Sequence, residues 1–532
     1  MRKFPWLDFL VILILAAVGR ALLLASGALS FHSDEAVVAL MARHINQGAN
    51  PVFFYGQAYM GSLDAYLVAV GFRLFGESVL SIRLVQSGLY LLVVATAYRV
   101  GWQFSGRRLI AAVTGLLLAL PAVNTALYTT VTLGGYNETL LLGNLILLLG
   151  YGAVHAESRS SWRWMALGLV AGLGWWTNGL IIMLAAPTGL ILLIVWIRRR
   201  TPIREMIPAL GLVLLGFFVG SAPWWVFDFT HQHAALSTYL MSQQTGEFAG
   251  IGIPYIPPSQ RALGFLIIGL PTLVGLRFPW SSAYFLLPVG VLVVLTYALA
   301  LYRLVRGHNP LRPEARLLVL LIPGLFTIIF IASTFGADPT GRYFLPLVVP
   351  LGIIFGTLVD DLASRVVSPG SRAAAVMLVA LVIGYQAAGQ SAAIQSPTGL
   401  TPQFDLISHI PNDHDDELIA FLLDHNLRQG YTNYWVAFRL AFLSGEQLTY
   451  SASLPYKADL SYNRADNRYP PYAQATAASD SIAYITTRLP ALDQRLEAAF
   501  EARGIAYEKA VIGDFHVYYG FPTTPHLTLA DL

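Results

Sequence analysis

The chain has 532 residues, of which 56% are hydrophobic and only 12% are charged, and its formal net charge at pH 7 is +3. Soluble globular proteins carry about 25% charged residues, so this composition excludes an ordinary soluble domain and indicates a multi-pass membrane protein. The small net charge argues against a nucleic-acid partner, and the absence of cysteine excludes disulfides, thiolate metal sites and a cysteine nucleophile.

Eleven apolar segments approach the length that crosses a bilayer, because about 20 helical residues span its ~30 Å hydrocarbon core. The first follows Met1-Arg2-Lys3 and is longer than the hydrophobic region of a signal peptide, so we predict an uncleaved first span. The predicted spans are residues 6–29, 78–100, 109–123, 138–154, 162–177, 180–197, 206–227, 282–302, 315–334, 343–359 and 373–390.

Arginine clusters predict the orientation, because Lys and Arg gather in short cytoplasmic loops. With the amino terminus inside, every cluster falls inside if the apolar segment 262–279, which Pro271 and Arg277 interrupt, is an interfacial or re-entrant helix. We therefore predict an integral plasma (inner) membrane protein with a cytoplasmic amino terminus and an extracytoplasmic carboxy-terminal domain. The clusters are Arg107/Arg108, Arg159/Arg163, Arg198/Arg199/Arg200/Arg204, Arg303/Arg306/Arg312/Arg316 and Arg365/Arg372.

Two adjacent acids, Asp34 and Glu35, follow the first span in a predicted external loop, residues 30–77. Ser33 is a favourable helix N-cap and residues 36–45 have a helical pattern, so the acids suit the positive end of a helix dipole. Ionisable groups at a membrane are also candidates for function. A capping role and a catalytic role both stay open, and they are compatible.

The segment after residue 393 is more polar, and we predict a membrane domain, residues 1–393, followed by a soluble α/β domain, residues 394–532. Predicted helices cover residues 415–428 and 491–502, and predicted strands cover residues 481–487 and 515–521. The acid-rich run 413–417 is interpreted as a helix start rather than as an Asp-x-Asp nucleotide-sugar motif. Asp360 and Asp361 are interpreted as a solvated cytoplasmic surface.

This order of elements resembles that of the GT-C membrane glycosyltransferases, in particular the branch of protein O-mannosyltransferases and aminoarabinose transferases. The resemblance covers most of residues 1–395 as architecture. The run 434–446 is also similar to a segment of uncharacterised bacterial members of that superfamily, without an assigned role. The motifs that carry the resemblance are residues 31–35, residues 54–62, Arg83 and residues 341–346.

The resemblance implies an enzyme of the cell envelope that moves a sugar from a polyprenyl-phosphate donor to an acceptor hydroxyl at the extracytoplasmic face, usually with inversion. The acceptor would be a lipid, a glycan or a protein. Such a reaction needs a base near the acceptor and cationic groups on the departing phosphate. By match to the family's acid pair, Asp34 would be the base, and Glu35 would position the acceptor, its helix or a divalent metal. No cofactor is certain, and a metal held by these two acids stays an option.

Other polar residues are candidates for substrate contacts. Arginine offers paired donors that suit phosphate, so Arg83 and Arg342 are candidates for the donor phosphate, with snorkelling at the interface as the alternative. Glu138 is either a second acid of the pocket or a dipole partner of its own helix. For the tyrosines, an interfacial aromatic belt is the alternative. The remaining candidates for substrate binding are His32, Tyr55, Gln57, Tyr59 and Tyr343.

Two other classes of protein compete with a glycosyltransferase. About eleven spans also suit a transporter or flippase of lipid-linked sugars, although the polar candidates lie at one face rather than at mid-membrane. A non-catalytic assembly partner of a cell-envelope polymer is a third class, which no positive feature of the sequence favours.

Overall fold

The computed structural model describes residues 4–155, 161–238, 256–307, 310–364, 369–403 and 408–527. These residues form two compact units. The first unit comprises the described residues within 1–28, 83–237 and 256–400, and the second comprises mainly those within 29–82 and 401–527. Arg159 and Arg365, two of the predicted topology signals, lie outside the described residues.

The first unit consists of helices. Within the described part of the chain, nine helices are long and apolar enough to cross a membrane, by length and composition. They agree with nine of the eleven predicted spans, so the polytopic helical class is confirmed. These helices are Trp6–Ala25, Val79–Ser105, Tyr136–Val154, Gly179–Arg198, Ile203–Gly220, Leu287–Val305, Pro313–Ala332, Arg342–Ser364 and Gly370–Ile394.

The other two predicted spans form shorter helices, Arg108–Ala119 with 12 residues and Ser161–Thr177 with 17 residues. The segment 262–279, which was expected not to span the membrane, is also short. Three consecutive helical pieces of seven, five and four residues form there. The remaining short helices and turns of this unit are Val123–Tyr128, Ala222–Thr230, Pro258–Gly264, Phe265–Gly269, Leu270–Leu273, Thr334–Ala337 and Arg342–Leu347.

Helix Ser161–Thr177 packs closely against helix Ile203–Gly220 through glycines on both helices. A Cβ added at Gly172 would lie 2.1 Å from the Phe217 carbonyl oxygen, and one at Gly216 would lie 2.3 Å from that of Met165. Gly168 and Gly220 meet the facing backbone in the same way. Small residues spaced four apart allow membrane helices to approach in this manner, which explains how a helix of 17 residues is held in the bundle.

The interpretation of Asp360 and Asp361 as a solvated surface is wrong. Their side chains lie at the end of helix Val348–Ser364 and are only 5% and 2% exposed. Asp360 Oδ2 is 3.0 Å from Arg107 Nε, and Asp361 Oδ2 is 2.7 Å from Arg303 Nη2. Each buried carboxylate therefore compensates a cation of a predicted cytoplasmic cluster.

The second unit has a five-stranded mixed sheet. Strand Gln429–Asn433 is parallel to both of its neighbours, and strand Phe515–Tyr519 is antiparallel to both of its neighbours. In register, Tyr431 faces Tyr484, and Ile485 faces Val517. The strand order across the sheet is Thr449–Leu454, Gln429–Asn433, Ile482–Thr487, Phe515–Tyr519 and Glu508–Ile512.

Both faces of this sheet are buried, because successive side chains of a strand point to opposite faces. Ala483 and Ile485 pack with helices Asp415–Asp424 and Tyr434–Leu443, whereas Tyr484 packs with helix Pro490–Ala502. The predicted helices and strands of this domain are confirmed, with ends that differ by at most four residues. The acid-rich run is the start of helix Asp415–Asp424, as expected.

The first predicted external loop belongs to this second unit rather than to the helical one. Asn412 joins the two parts of the unit, because its Oδ1 accepts from Phe31 N at 2.8 Å and its Nδ2 donates to Phe31 O at 3.0 Å. The remaining elements of the unit are helices Ser33–Asn46, Leu63–Phe75 and Pro470–Ala477, the turn Arg464–Asp466, and the hairpin strands Phe53–Phe54 and Gln57–Gly61.

Candidate active site

The acid pair lies in the first turn of helix Ser33–Asn46. His32, not Ser33, is the N-cap, because its Nδ1 accepts from Glu35 N at 3.4 Å. The Asp34 side chain is partly exposed, whereas Glu35 is fully buried and His32 is 1% exposed. Of these three candidates, only Asp34 offers an accessible group. The position of Glu35 and His32 suits a role in holding the helix start.

Tyr434 holds Asp34 in place. Its hydroxyl donates a hydrogen bond to Asp34 Oδ1, while Asp34 Oδ2 accepts no hydrogen bond from a described residue. Asn433 ends a strand and caps the helix that begins at Tyr434, since its Oδ1 accepts from Trp435 N at 2.9 Å. The strand end and the cap therefore position the phenol, and one oxygen of Asp34 stays available.

Arg468 is the cation of this site. Its guanidinium lies 5.5 Å from the ring centroid of Tyr434, and its side chain is only 8% exposed. With the amide of Gln57 oriented so that its oxygen faces the guanidinium, Gln57 accepts from Arg468 Nη2 at 2.8 Å and from Tyr59 OH at 3.2 Å. The hairpin turn also lies against Arg468, because a Cβ at Gly56 would be 3.1 Å from its Cα. The hairpin thus orients the arginine.

The charges of this cluster reinforce one another. Burial by itself would lower the pKa of Arg468, but the nearby oxygens of Tyr434, Tyr59 and Asp34 raise it above its ordinary value. Burial, and next the charge of Asp34, raise the pKa of Tyr434 well above its ordinary value. Arg468 therefore stays cationic and Tyr434 stays a hydrogen-bond donor throughout the physiological range.

Asp466 gives the second unit a pH-dependent stability. Burial, partly opposed by Arg468 and Lys457, raises its pKa from 3.8 to about 7. Between these values the folded chain keeps a proton that the unfolded chain releases, so stability falls as the pH rises from about 4 to about 7. We expect Asp466→Asn, which cannot ionise, to reduce the difference in melting temperature between pH 5 and pH 8. Scanning fluorimetry of the purified full chain measures this difference.

The exposed Asp480 serves as a control for this experiment. Asp480→Asn removes one carboxylate from the same unit without touching the cluster, and the melting temperature of this variant should follow wild type at both pH values. If the melting temperature of Asp466→Asn differs between pH 5 and pH 8 as much as that of wild type does, the result contradicts a buried, protonated Asp466.

Tyr55 is part of a separate hydrogen-bond network. Its hydroxyl is 2.9 Å from His44 Nδ1, and His44 Nε2 is 3.0 Å from Glu446 Oε1, which also accepts from Tyr472 at 2.6 Å. Burial opposes ionisation of Glu446, but these hydrogen bonds and one from Arg43 lower its pKa to about 2. Tyr55 therefore ties the external loop to the segment that follows helix Tyr434–Leu443.

The remaining predicted site residues lie in or at the start of the helical unit. Arg342 forms an ion pair with Asp338 at 2.6 Å and lies 4.9 Å from the ring centroid of Tyr343. Glu138 is 2% exposed in the first turn of helix Tyr136–Val154. Arg83 is partly exposed in the first turns of helix Val79–Ser105. Among these, the structure brings Arg342 and Tyr343 together, and their roles stay predictions.

The two acids of the pair are not equally available to a divalent metal, because only Asp34 is accessible. Among the residues that the structure describes, no group of three or more His, Asp or Glu side chains is arranged to hold a metal ion. Asp34 accepts from a phenol, and Glu35 is fully buried. A divalent metal at Asp34 would therefore need water or substrate oxygens for most of its ligands, and no step proposed below uses a metal.

Three residues of the cluster were missed from the sequence, namely Tyr434, Asp466 and Arg468. Tyr434 opens the run 434–446 that resembles other members of the superfamily, and this was the only signal for it. Asp466 and Arg468 lie in the charged loop 463–468, which differs little in composition from a solvated loop. Only the fold brings them to Asp34.

The helical unit has the long apolar helices of a polytopic membrane protein. The sequence matches the family model described as Dolichyl-phosphate-mannose-protein mannosyltransferase over residues 62–227, which is less than a third of the chain. No curated protein matches the sequence.

Three solved structures of glycosyltransferases are similar to this chain. ArnT from Cupriavidus metallidurans bound to undecaprenyl phosphate has a TM-score of 0.61 and 15% identity, over 96% of this chain and 97% of ArnT. The Archaeoglobus fulgidus oligosaccharyltransferase tethered with an acceptor peptide has a TM-score of 0.51 and 12% identity, over 97% and 74% of the two chains. Arabinofuranosyltransferase AftD from Mycobacteria has a TM-score of 0.50 and 14% identity, over 96% and 41%. The fold that the sequence resemblance predicts is confirmed.

Proposed function

We propose that the protein is a membrane glycosyltransferase that moves a sugar from a polyprenyl-phosphate donor to an acceptor hydroxyl, with Asp34 as the general base. One observation carries this proposal: Asp34 is the accessible acid of the pair, held by Tyr434 on one oxygen and accompanied by the buried cation Arg468. The matches to a mannosyltransferase family model and to ArnT bound to undecaprenyl phosphate support the choice of donor class.

The proposed reaction is a single displacement. The Oδ2 atom of Asp34 takes the proton of the acceptor hydroxyl as that oxygen attacks the anomeric carbon of the donor. The bond from the anomeric carbon to the phosphate oxygen breaks, and the lipid phosphate leaves with the bonding electron pair. Attack opposite to the leaving group inverts the anomeric centre. Asp34 then releases the proton to solvent, which its partial exposure allows.

The other residues of the cluster act on Asp34. Tyr434 fixes the carboxylate at the start of its helix, where the helix dipole favours negative charge. Arg468 stabilises the same negative charge, and Gln57 and Gly56 keep Arg468 in place. Glu35 and His32 secure the helix start. We also propose Arg83 and Arg342 as the residues that bind the donor phosphate, since an arginine fork suits a phosphate group.

We propose that the protein lies in the plasma (inner) membrane with its amino terminus in the cytoplasm and residues 394–532 outside. The arginine clusters support this orientation. Cysteine labelling tests it directly, because the chain has no cysteine of its own. A Ser479→Cys variant should react with an impermeant maleimide added to intact cells, whereas Arg204→Cys should react only after lysis.

The function is tested with the purified full chain in detergent and a panel of radiolabelled polyprenyl-phosphate sugars. We expect consumption of one donor, with transfer to an acceptor or slow hydrolysis. A flippase of lipid-linked sugars would instead move a donor across reconstituted vesicles without consuming it. Donor movement without any donor consumption, with or without cell-envelope extracts as a source of acceptor, would contradict the enzyme.

A further inference from the structure

The helical unit contains a polar cavity that no proposed catalytic residue lines. A cavity of about 620 Å³ opens beside the end of helix Val79–Ser105. Ser105 at this end is 22 residues, or about 33 Å, from Arg83 near the start of the same helix. That distance places the cavity at the face of a bilayer opposite to Arg83. The side chains that define the cavity are Arg99, Trp102, Arg107, Tyr151, His155 and Arg312.

The cavity carries a net positive charge. Arg107 is paired with Asp360, and His155 Nε2 is 3.8 Å from Glu314. Arg99 and Arg312 are both exposed, and neither forms an ion pair with a described carboxylate. Two guanidinium groups without carboxylate partners beside one cavity favour an anionic ligand, and a phosphate suits their paired donors.

Tyr151 provides a buried polar group at the wall of the cavity. Its side chain is 3% exposed, and its hydroxyl interacts with the Arg312 guanidinium through a side-chain hydrogen bond and through charge. The phenol oxygen accepts from Arg312, so its own O–H can still donate to a ligand in the cavity. Trp102 is half-buried beside the same cavity, and Trp side chains are enriched at the depth of lipid headgroups.

We propose that this cavity binds the phosphate headgroup of an anionic phospholipid. Basic pockets between membrane helices recognise such headgroups, and a cavity beside the end of a membrane helix can hold a headgroup whose acyl chains stay in the bilayer. Arg99 and Arg312 bind the phosphate oxygens, and the Tyr151 hydroxyl donates to one of them. The site is independent of the proposed sugar transfer.

The proposal is tested by titrating the purified full chain with phosphatidylglycerol and with phosphatidylcholine, with bound lipid counted by native mass spectrometry. We expect wild type to bind phosphatidylglycerol more tightly than phosphatidylcholine. The double variant Arg99→Gln/Arg312→Gln should bind phosphatidylglycerol about 10- to 100-fold more weakly, because hydrogen bonds to charged groups contribute roughly that factor. Tyr151→Phe, which removes only the hydroxyl, should give a smaller loss in the same direction.

A matched control is Arg204→Gln/Arg306→Gln, which removes two exposed arginines outside the cavity. This variant should bind phosphatidylglycerol as wild type does. Equal binding by the cavity variant and wild type, or an equal loss in both double variants, would overturn the proposal. Inorganic phosphate is titrated separately at constant ionic strength. If it binds as tightly as phosphatidylglycerol and depends on the same two arginines, the ligand is a free phosphate and the lipid is excluded.

Discussion

Asp34→Asn should lower the rate of sugar transfer by about 10²- to 10⁴-fold, the range that a general base contributes. The amide has the same shape as the carboxylate and its oxygen still accepts from Tyr434, so the fold and the binding of the donor should persist. It cannot take a proton from the acceptor. The initial rate of transfer by the purified full chain, measured with the donor that wild type consumes, gives the effect directly.

Asp413→Asn is the matched control for this prediction. Asp413 is an exposed aspartate of the same unit, in the run whose catalytic interpretation was discounted. Its variant should transfer sugar at the wild-type rate, and the melting temperatures of both variants should equal that of wild type. Transfer by Asp34→Asn at more than about a tenth of the wild-type rate would rule out Asp34 as the base, since a lost base costs at least about 10²-fold.

Arg439→Met should destabilise the second unit more than any other single change considered. Arg439 is 2% exposed, its Nη2 is 2.8 Å from Asp415 Oδ1, and its Nη1 donates to Ile410 O at 2.8 Å. Removing one partner of a buried ion pair typically costs about 3–5 kcal/mol, because the other charge stays buried and unpaired. For a unit of this size we expect the melting temperature to fall by about 6–20 °C.

The loss of stability in Arg439→Met should be accompanied by slower sugar transfer. Asp415 Oδ2 accepts from Asn412 Nδ2 at 2.8 Å, and Asn412 in turn binds both backbone groups of Phe31, three residues before Asp34. Scanning fluorimetry and the transfer assay on the same preparation measure both effects. Arg495→Met, at an exposed helix position, should change neither. The double variant Arg439→Met/Asp415→Leu should regain part of the stability, and a wild-type melting temperature for Arg439→Met alone would contradict the argument.

The elements of this fold could be predicted because their signals are local. Apolar length identifies nine of the eleven predicted spans as helices long enough to cross a membrane, whereas Arg108–Ala119 and Ser161–Thr177 are shorter. The predicted carboxy-terminal helices follow from their amphipathic pattern, and the two predicted strands follow from their aromatic and β-branched residues. Strands Gln429–Asn433, Thr449–Leu454 and Glu508–Ile512 were not predicted. Asp360 and Asp361 were misjudged because a pair of acids beside arginines has the same sequence pattern whether it is solvated or buried in ion pairs.

The candidate site could be predicted only in part. Asp34 could be predicted because it belongs to a pair of charged residues that directly follows an apolar span, where a charge is energetically unfavourable. Its partners Tyr434 and Arg468 are about 400 residues away, and no short-range pattern marks either of them. Gln57 lies against Arg468 and Tyr59, contacts that the sequence does not indicate, and the substrate-binding roles of Gln57 and Tyr59 stay predictions.

The hydrogen bond between Tyr434 and Asp34 has a consequence for biosynthesis. A ribosome that adds 5–20 residues per second needs about 20–80 s to travel from codon 34 to codon 434. During that time the nascent chain carries the acid at the membrane without the phenol that holds it and without Arg468. A prematurely terminated chain therefore inserts into the membrane with an unorganised acid, and the last quarter of translation completes the cluster.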